Sequence, residues 1–347
     1  MRRTVLLALF LLVSCSSAQT TPQSQRVITQ PERTGSANVS VDLKPPPTPT
    51  PTKAPATKTP AAGGSAQAAA IPPGARVLPA PLPVAAGVDS FRSLGAWIDV
   101  FDHNDDPNSI LPLVRGVAEQ GVRTLYLESA RYTSATDIQF PRAVGAALDE
   151  AKKLGMRVVA WYPPGFADLT KDVNRSIAAI RFRSPGGNRF DAFGADIEYT
   201  AALPDHNERN KRAIEYSNRL RSEASAGYPL AAIVIPPTAL EVNPGRWPDF
   251  PWQALAPIYD VFMPMNYWTA REKTPQTASD LTAQNVNKTR ELTGRPVHII
   301  GGLGEYADEA QVSAYVRAAK DTGSIGGSLY DYRTTRAEVW DELRALR

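Results

Sequence analysis

An α/β protein built as a single (β/α)8 TIM barrel, preceded by a signal peptide and a disordered Pro/Thr-rich linker, is what this sequence predicts. Three observations carry the prediction. From Gly95 onward, eight short apolar runs alternate with amphipathic helical stretches, the pattern of strands and crossover helices in a parallel sheet. Several helical stretches stop at a glycine just ahead of the next apolar run, at Gly121, Gly155, Gly294 and Gly323; glycine tolerates the left-handed conformation past a helix end. Residues 88–347 also make a stretch of 260 residues, close to the ~250 typical of one such barrel.

The N-terminal part reads in two pieces. A chain of 347 residues would suggest two domains at roughly 150 residues each, but composition argues otherwise. Of 31 prolines, 14 fall between Pro22 and Pro83, and no Phe, Tyr or Trp occurs between Phe10 and Phe91. Such a stretch cannot bury enough apolar surface to offset the entropy of ordering it. Residues 16–87 are therefore expected to form a disordered Pro/Thr/Ala-rich tether, extended as polyproline II through Pro45-Pro46-Pro47-Thr48-Pro49-Thr50-Pro51-Thr52. In residues 1–15, Arg2 and Arg3 precede an apolar run, 4–13, too short to span a membrane as a helix. The run ends in Leu12-Val13-Ser14-Cys15, which resembles the lipobox of bacterial lipoproteins. That resemblance implies a lipid on Cys15, a membrane as partner, and a domain facing outside the cytoplasm. An ordinary secretory signal with an incidental Cys is the other reading. Cys15 is the only Cys, so an exported domain would carry no disulfide.

The elements of the barrel follow in order. A first strand at 95–102 leads to a helix at 108–120 that stops at Gly121. Strand 122–130 leads to helix 142–154, which stops at Gly155, and strand 157–163 follows. The fourth strand, 192–199, precedes helix 208–225; strands 231–236 and 261–268 precede helix 278–292, which stops near Gly294. Strand 296–302, helix 309–322 ending at Gly323, strand 327–332 and a closing helix at 336–346 complete the set. No Gly-x-Gly-x-x-Gly follows the first strand, which weighs against a dinucleotide fold.

Charge excludes some partners. The net charge is +3, from 38 basic and 35 acidic residues, and the two signs are interleaved, so no basic face for nucleic acid is expected. One Cys and three His, at 103, 206 and 298, give no metal-ligand spacing. No metal or other cofactor is expected, and a monomer is. Asp102-His103-Asn104-Asp105-Asp106 lacks the spacing and terminal Glu of a calcium loop and reads as a solvated loop.

In a barrel of this kind, reacting groups sit at the C-terminal ends of the strands. The fourth strand reads Ala192-Phe193-Gly194-Ala195-Asp196-Ile197-Glu198-Tyr199. Side chains alternate across a strand, so Asp196 and Glu198 share the lumen face with Ala192 and Gly194, while Phe193, Ala195, Ile197 and Tyr199 face the helices. Two neighbouring carboxylates in a barrel mouth push their pKa values apart, and one keeps a proton as a general acid requires. A buried or salt-bridged acidic pair without chemistry is the alternative.

Asp196-Ile197-Glu198, with Asp191 seven residues before Glu198, resembles the Asp-x-x-Asp-x-Asp-x-Glu strand of family 18 glycoside hydrolases, the chitinases and their relatives. Met263-Pro264-Met265-Asn266-Tyr267-Trp268 resembles that family's Met-x-Tyr-Asp. A looser resemblance, to bacterial barrel proteins grouped as glycoside hydrolase-like, covers most of residues 95–347 through Gly121-Val122-Arg123-Thr124-Leu125-Tyr126-Leu127 and Gly326-Gly327-Ser328-Leu329-Tyr330-Asp331. The resemblance implies that Glu198 protonates the glycosidic oxygen, that Asp196 orients and neutralises a substrate acetamido group, and that Tyr267 hydrogen-bonds to it. Gly194 stands where the motif has its middle Asp, and Trp268 where the second motif has its Asp.

Other assignments stay open. Glu305, after the seventh strand, is a possible second carboxylate: strand-4 and strand-7 acids are the arrangement of retaining glycosidases, although it also reads as a solvated loop acid. Glu128, Tyr126, Asp99, Trp161, Trp268 and Tyr330 fall at strand ends and are the candidate substrate-binding residues, flat rings stacking on sugar faces; aromatic side chains are equally ordinary core fillers. His298 reads as a core histidine. The glycines at 301, 302 and 304 could cradle a phosphate, but no helix-opening Lys or Ser/Thr accompanies them. The expected function is cleavage of glycosidic bonds in an extracellular or cell-envelope polysaccharide or oligosaccharide by carboxylate acid/base chemistry. The rivals are a non-catalytic carbohydrate-binding barrel and a barrel enzyme of non-glycosidic chemistry.

Overall fold

The computed structural model describes residues 88–347; the stretches expected to form a signal peptide and a tether, with Cys15, lie outside the described residues. Eight parallel strands run β1 (Ser93–Ile98), β2 (Thr124–Glu128), β3 (Arg157–Tyr162), β4 (Ala192–Ile197), β5 (Leu230–Val234), β6 (Val261–Pro264), β7 (His298–Leu303) and β8 (Gly326–Tyr330). They hydrogen-bond in the order β6-β5-β4-β3-β2-β1-β8-β7. Bridges Phe262↔Val297 and Met265↔Ile300 join the two ends of that sheet, so the (β/α)8 barrel is nearly closed, as the alternation predicts.

Helices α1 (Pro107–Glu119), α2 (Pro141–Lys153), α3 (Leu169–Arg181), α4 (His206–Glu223), α5 (Pro237–Val242), α6 (Trp252–Leu255), α7 (Pro275–Thr293), α8 (Glu309–Asp321) and α9 (Trp340–Leu343) follow the strands. Asp106, Asp168, Asp205, Thr274 and Asp308 cap five of them with side-chain oxygens, each satisfying a backbone N–H that the first turn leaves without a partner. The closing helix expected at 336–346 is instead three short turns, Ala337–Val339, Trp340–Leu343 and Arg344–Leu346. Among the described residues no helix is long and apolar enough to cross a membrane.

Alternation along the strands sorts side chains into two layers. Leu94, Ala96, Ile98, Leu125, Leu127, Phe193, Ala195 and Ile197 face the helices. Trp97, Tyr126, Val159, Trp161, Ala192, Ala231, Ile233 and Met263 fill the lumen. The lower lumen is packed and paired. Trp97 stacks on Tyr126 with ring centroids 4.2 Å apart, and its Nε1 donates to Ser328 Oγ at 2.9 Å. Gly95 permits this: a Cβ there would stand 2.5 Å from a Tyr126 ring carbon. His298 is the core histidine expected, its ring nitrogens 2.8 Å from the Phe91 carbonyl and 3.0 Å from Ser328 Oγ. Burial holds its pKa down at about 4.

All strands but β7 end earlier than expected, most of all β1, which stops at Ile98 rather than 102, and β6, which stops at Pro264 rather than 268. Past it the backbone turns, with Tyr267 at φ +25°, and the period-2 rule no longer assigns faces. Asn266 enters the helix layer, its Nδ2 donating to Thr282 Oγ1 at 2.9 Å and its Oδ1 accepting from Asn285 at 2.7 Å.

Candidate active site

Four strand ends supply the acidic groups of the barrel mouth. On β4, Asp196 faces the lumen opposite Ile233 of β5 and is 6% exposed, while Ile197 faces the helices. Glu198 lies just past the strand, half-buried, its N–H bonded to the Asp196 carbonyl at 3.1 Å. Asp196 is therefore in the lumen as expected, and the charge of Glu198 reaches it from just past the strand. Burial pushes the Asp196 carboxyl well above the ordinary carboxylate range; the charges of Glu198 and Glu128 add to the rise and Arg131 opposes it. Asp196 Oδ1 is buried without a hydrogen-bond partner, and so is Nε1 of Trp161 on neighbouring β3, so the mouth holds an acceptor and a donor with nothing to bond.

β2 contributes Glu128, 1% exposed. Its Oε2 accepts from the Val100 N–H at 3.0 Å, and Oε1 stands 3.4 Å from Arg131 Nε. Arg131, in the loop after β2, donates from Nη2 to the Tyr199 hydroxyl, with its guanidinium 4.9 Å from the Phe101 ring centre and 5.8 Å from that of Tyr199. The loop is fixed from beneath by buried Arg175, which donates to the carbonyls of Arg131 and Tyr132 at 2.7 Å each and to that of Ser134. Tyr199, expected beneath the helices, turns to Arg131 because the strand has ended at Ile197. Burial, then Glu198, Asp196 and Glu128, raise its hydroxyl above the ordinary range against the pull of Arg131.

β1 and β8 add a second acidic group. Asp99 accepts from the Phe101 N–H at 2.7 Å and from the Tyr330 hydroxyl at 2.8 Å. Asp102 accepts from the Asp99 N–H at 3.2 Å, and Asp331 accepts from the Thr334 N–H at 2.9 Å. One oxygen from each of Asp99, Asp102 and Asp331 lies within 4.8 Å of the others, the one such trio found among the described residues. These are the residues with the donor atoms for a hard cation; Arg333 Nη1, 3.9 Å from Asp102 Oδ1, already balances part of their charge.

The remaining expected residues divide. Tyr267 and Tyr330 are half-buried against the lumen cluster, and Trp161 meets Tyr330 edge-on, with ring centres 6.4 Å apart. Tyr126 is wholly buried below them and is core, not a sugar contact. Glu128 is likewise held by protein groups rather than offered to a ligand. Trp268 is also corrected: fully buried, it tilts over Tyr315 at 4.9 Å and donates to Gln311 Oε1 at 3.1 Å in the helix layer. Gly301 makes room for it, since a Cβ there would meet the Trp268 ring at 2.5 Å, and a Cβ at Gly304 would strike the Thr335 backbone at 2.6 Å. The 301–304 glycines are packing devices, not a phosphate cradle. Glu305 sits in a short turn, Gly304–Tyr306, bonded to the Tyr306 hydroxyl, and the charges that move Asp196 are Glu198, Glu128 and Arg131 instead. Asp191 belongs to the other end of the barrel, accepting from Val158 N–H at 2.6 Å and Lys152 at 2.5 Å. Arg131, Tyr199 and Asp331 were not legible as site residues; a basic residue three positions after a lumen-facing Glu128 was the only signal.

No family model matches this chain, and no curated protein does. Solved structures do. The endo-beta-1,4-mannanase from Thermotoga petrophila is similar at 13% identity with a TM-score of 0.55, over 70% of this chain and 68% of that one. The Bacillus cereus spore cortex-lytic enzyme SleL is similar at 10% identity and a TM-score of 0.54, over 73% and 74% of the two chains. A chitinase from Chromobacterium violaceum is similar at 14% identity and a TM-score of 0.52, over 74% of this chain and 99% of that one. At these identities the likeness establishes the barrel fold, one that carries many chemistries.

Proposed function

We propose that this chain is a glycoside hydrolase-like lipoprotein, tethered by a lipid on Cys15 to a bacterial membrane outside the cytoplasm, that cleaves glycosidic bonds of an extracellular or cell-envelope polysaccharide. The observation that carries the reading is the Asp196–Glu198 pair at the C-terminal end of β4: Asp196 in the lumen, buried and driven toward its protonated form, and Glu198 half-buried just past the strand. Such a pair retains a proton near neutral pH for delivery to a leaving group. Glu198, the more exposed, protonates the glycosidic oxygen as the C–O bond breaks. Water then adds its hydroxyl at the anomeric carbon and returns a proton to the carboxylate. Asp196 orients the acid, and Tyr267, on the lumen side, bonds to the sugar. This chemistry calls for no cofactor. The fold of the mannanase, SleL and chitinase structures supports the reading.

Two observations favour a second reading, carbohydrate binding without cleavage: Gly194 leaves the pair without a third acid on its own strand, and Trp268 is withdrawn from the mouth. Incubating the full chain with a panel of cell-envelope and extracellular polysaccharides and measuring released reducing ends separates the two. Product from at least one glycan supports hydrolysis. Retention on a glycan without product supports binding, and neither outcome on any glycan defeats both.

A further inference from the structure

Every charge that acts on Asp196 has a place in the fold. Glu198 comes from just past the same strand, Glu128 from β2, and Arg131 from the loop after β2. Nothing comes from its partner across β5, which is Ile233, or from Met263 of β6 beyond it. On the β3 side stands Trp161, with an indole N–H and no charge. Among the described residues, Glu128 is thus the acid from a different strand whose charge acts on Asp196, at the register level of Trp161 and Gly194. Its oxygens meet two donors, the Val100 amide at 3.0 Å and Arg131 Nε at 3.4 Å. Donors stabilise the ionised form of a carboxylate. Arg131 is fixed by the Tyr199 hydroxyl and by the Arg175-braced loop, and Arg175 is itself 1% exposed. A buried negative charge is costly unless paired and fixed in this way.

We propose that Glu128, clamped by Arg131 and the Val100 amide, is a positioning residue of the acid pair: a fixed negative charge from β2 that holds a proton within Asp196 and Glu198. It stands in for the further acid that β4 lacks at Gly194. This rests on the reading of Asp196–Glu198 as the proton-delivering pair, and deepens it. A carboxyl flanked by one ionised acid loses its proton at a higher pH than the same carboxyl alone, and a second ionised acid raises that point again. Arg131 works both ways: it keeps Glu128 ionised and tempers the field at Asp196.

The full chain labelled with carboxyl-13C aspartate tests this by NMR titration, the Asp196 resonance being identified by its loss in Asp196→Asn. Glu128→Gln, nearly isosteric, is expected to lower the Asp196 midpoint by about one pH unit or more. Glu128→Asp, which keeps the charge on a shorter side chain, is expected to hold the midpoint near the unmutated value. A fall in Glu128→Gln without one in Glu128→Asp distinguishes a field from loosened packing, which the shorter side chain would cause at least as much. An Asp196 midpoint unchanged or raised in Glu128→Gln, or lowered equally in both variants, overturns the proposal. The titration uses no substrate, so its failure is separate from a failure to find hydrolysis.

Discussion

Below the level of Trp161 the barrel lumen is a core, and above it the same strands carry acids. In the lower half Trp97, Tyr126, His298 and Ser328 interlock, and the buried polar atoms find partners: indole to hydroxyl, imidazole to carbonyl, Thr124 Oγ1 to the Ser90 carbonyl at 3.1 Å. In the upper half Asp196 Oδ1 and Trp161 Nε1 have none, and Glu128, Asp196 and Glu198 crowd like charges together. A natural core satisfies its buried polar groups because each orphan costs about 1–3 kcal/mol. The contrast teaches that the upper half is organised for something other than stability, as binding and catalytic sites are.

The largest test of that contrast strikes the lower half. Trp97→Ala is expected to lose about 3–5 kcal/mol of unfolding free energy, measured by denaturant titration, because it empties the stack on Tyr126 and removes the indole donor to Ser328. Next comes acid. His298 titrates at about 4 when folded against an ordinary 6.5, so the unfolded chain takes up the proton first as pH falls. Its contribution is complete above about pH 6.5 and is lost toward about pH 4, to a depth of about 3 kcal/mol. Stability curves across that window should slope accordingly, and less steeply in His298→Gln. Asp196→Asn gives a smaller effect of opposite character. A carboxyl whose folded pKa is raised is fully supported below its unfolded pKa and loses that support as pH rises through the folded one. Asn mimics the protonated form, so the variant should melt above wild type at neutral and alkaline pH, by about 1 kcal/mol of stability, with the advantage vanishing in acid.

How much of this was legible follows from where periodicity holds. Within the strands alternation placed Asp196 in the lumen and Ile197 under the helices correctly. The glycine stops at Gly121, Gly155, Gly294 and Gly323 all have positive φ. Past the strand ends the rule has no force. Tyr199 turned to Arg131 rather than to the helices, and Trp268 went under α8 after the left-handed turn at Tyr267. Glu128 and Tyr126 were placed on the right face of β2, but depth along the lumen depends on the register between strands, which a single strand's pattern does not contain. For the same reason the trio of Asp99, Asp102 and Asp331 joins the first strand to the last, a closure no local motif announces. Arg131 came from a loop whose shape is set by Arg175, 44 residues away.

The measurement that bears most directly on the acid pair is hydrolysis by the full chain with Glu198→Gln beside wild type, on whichever glycan of the panel responds best. A general acid is worth about 100-fold or more in rate, so product formation should fall at least that far while the melting temperature and the titration of His298 stay in place. A Glu198→Gln protein that cleaves as fast as wild type would contradict the assignment.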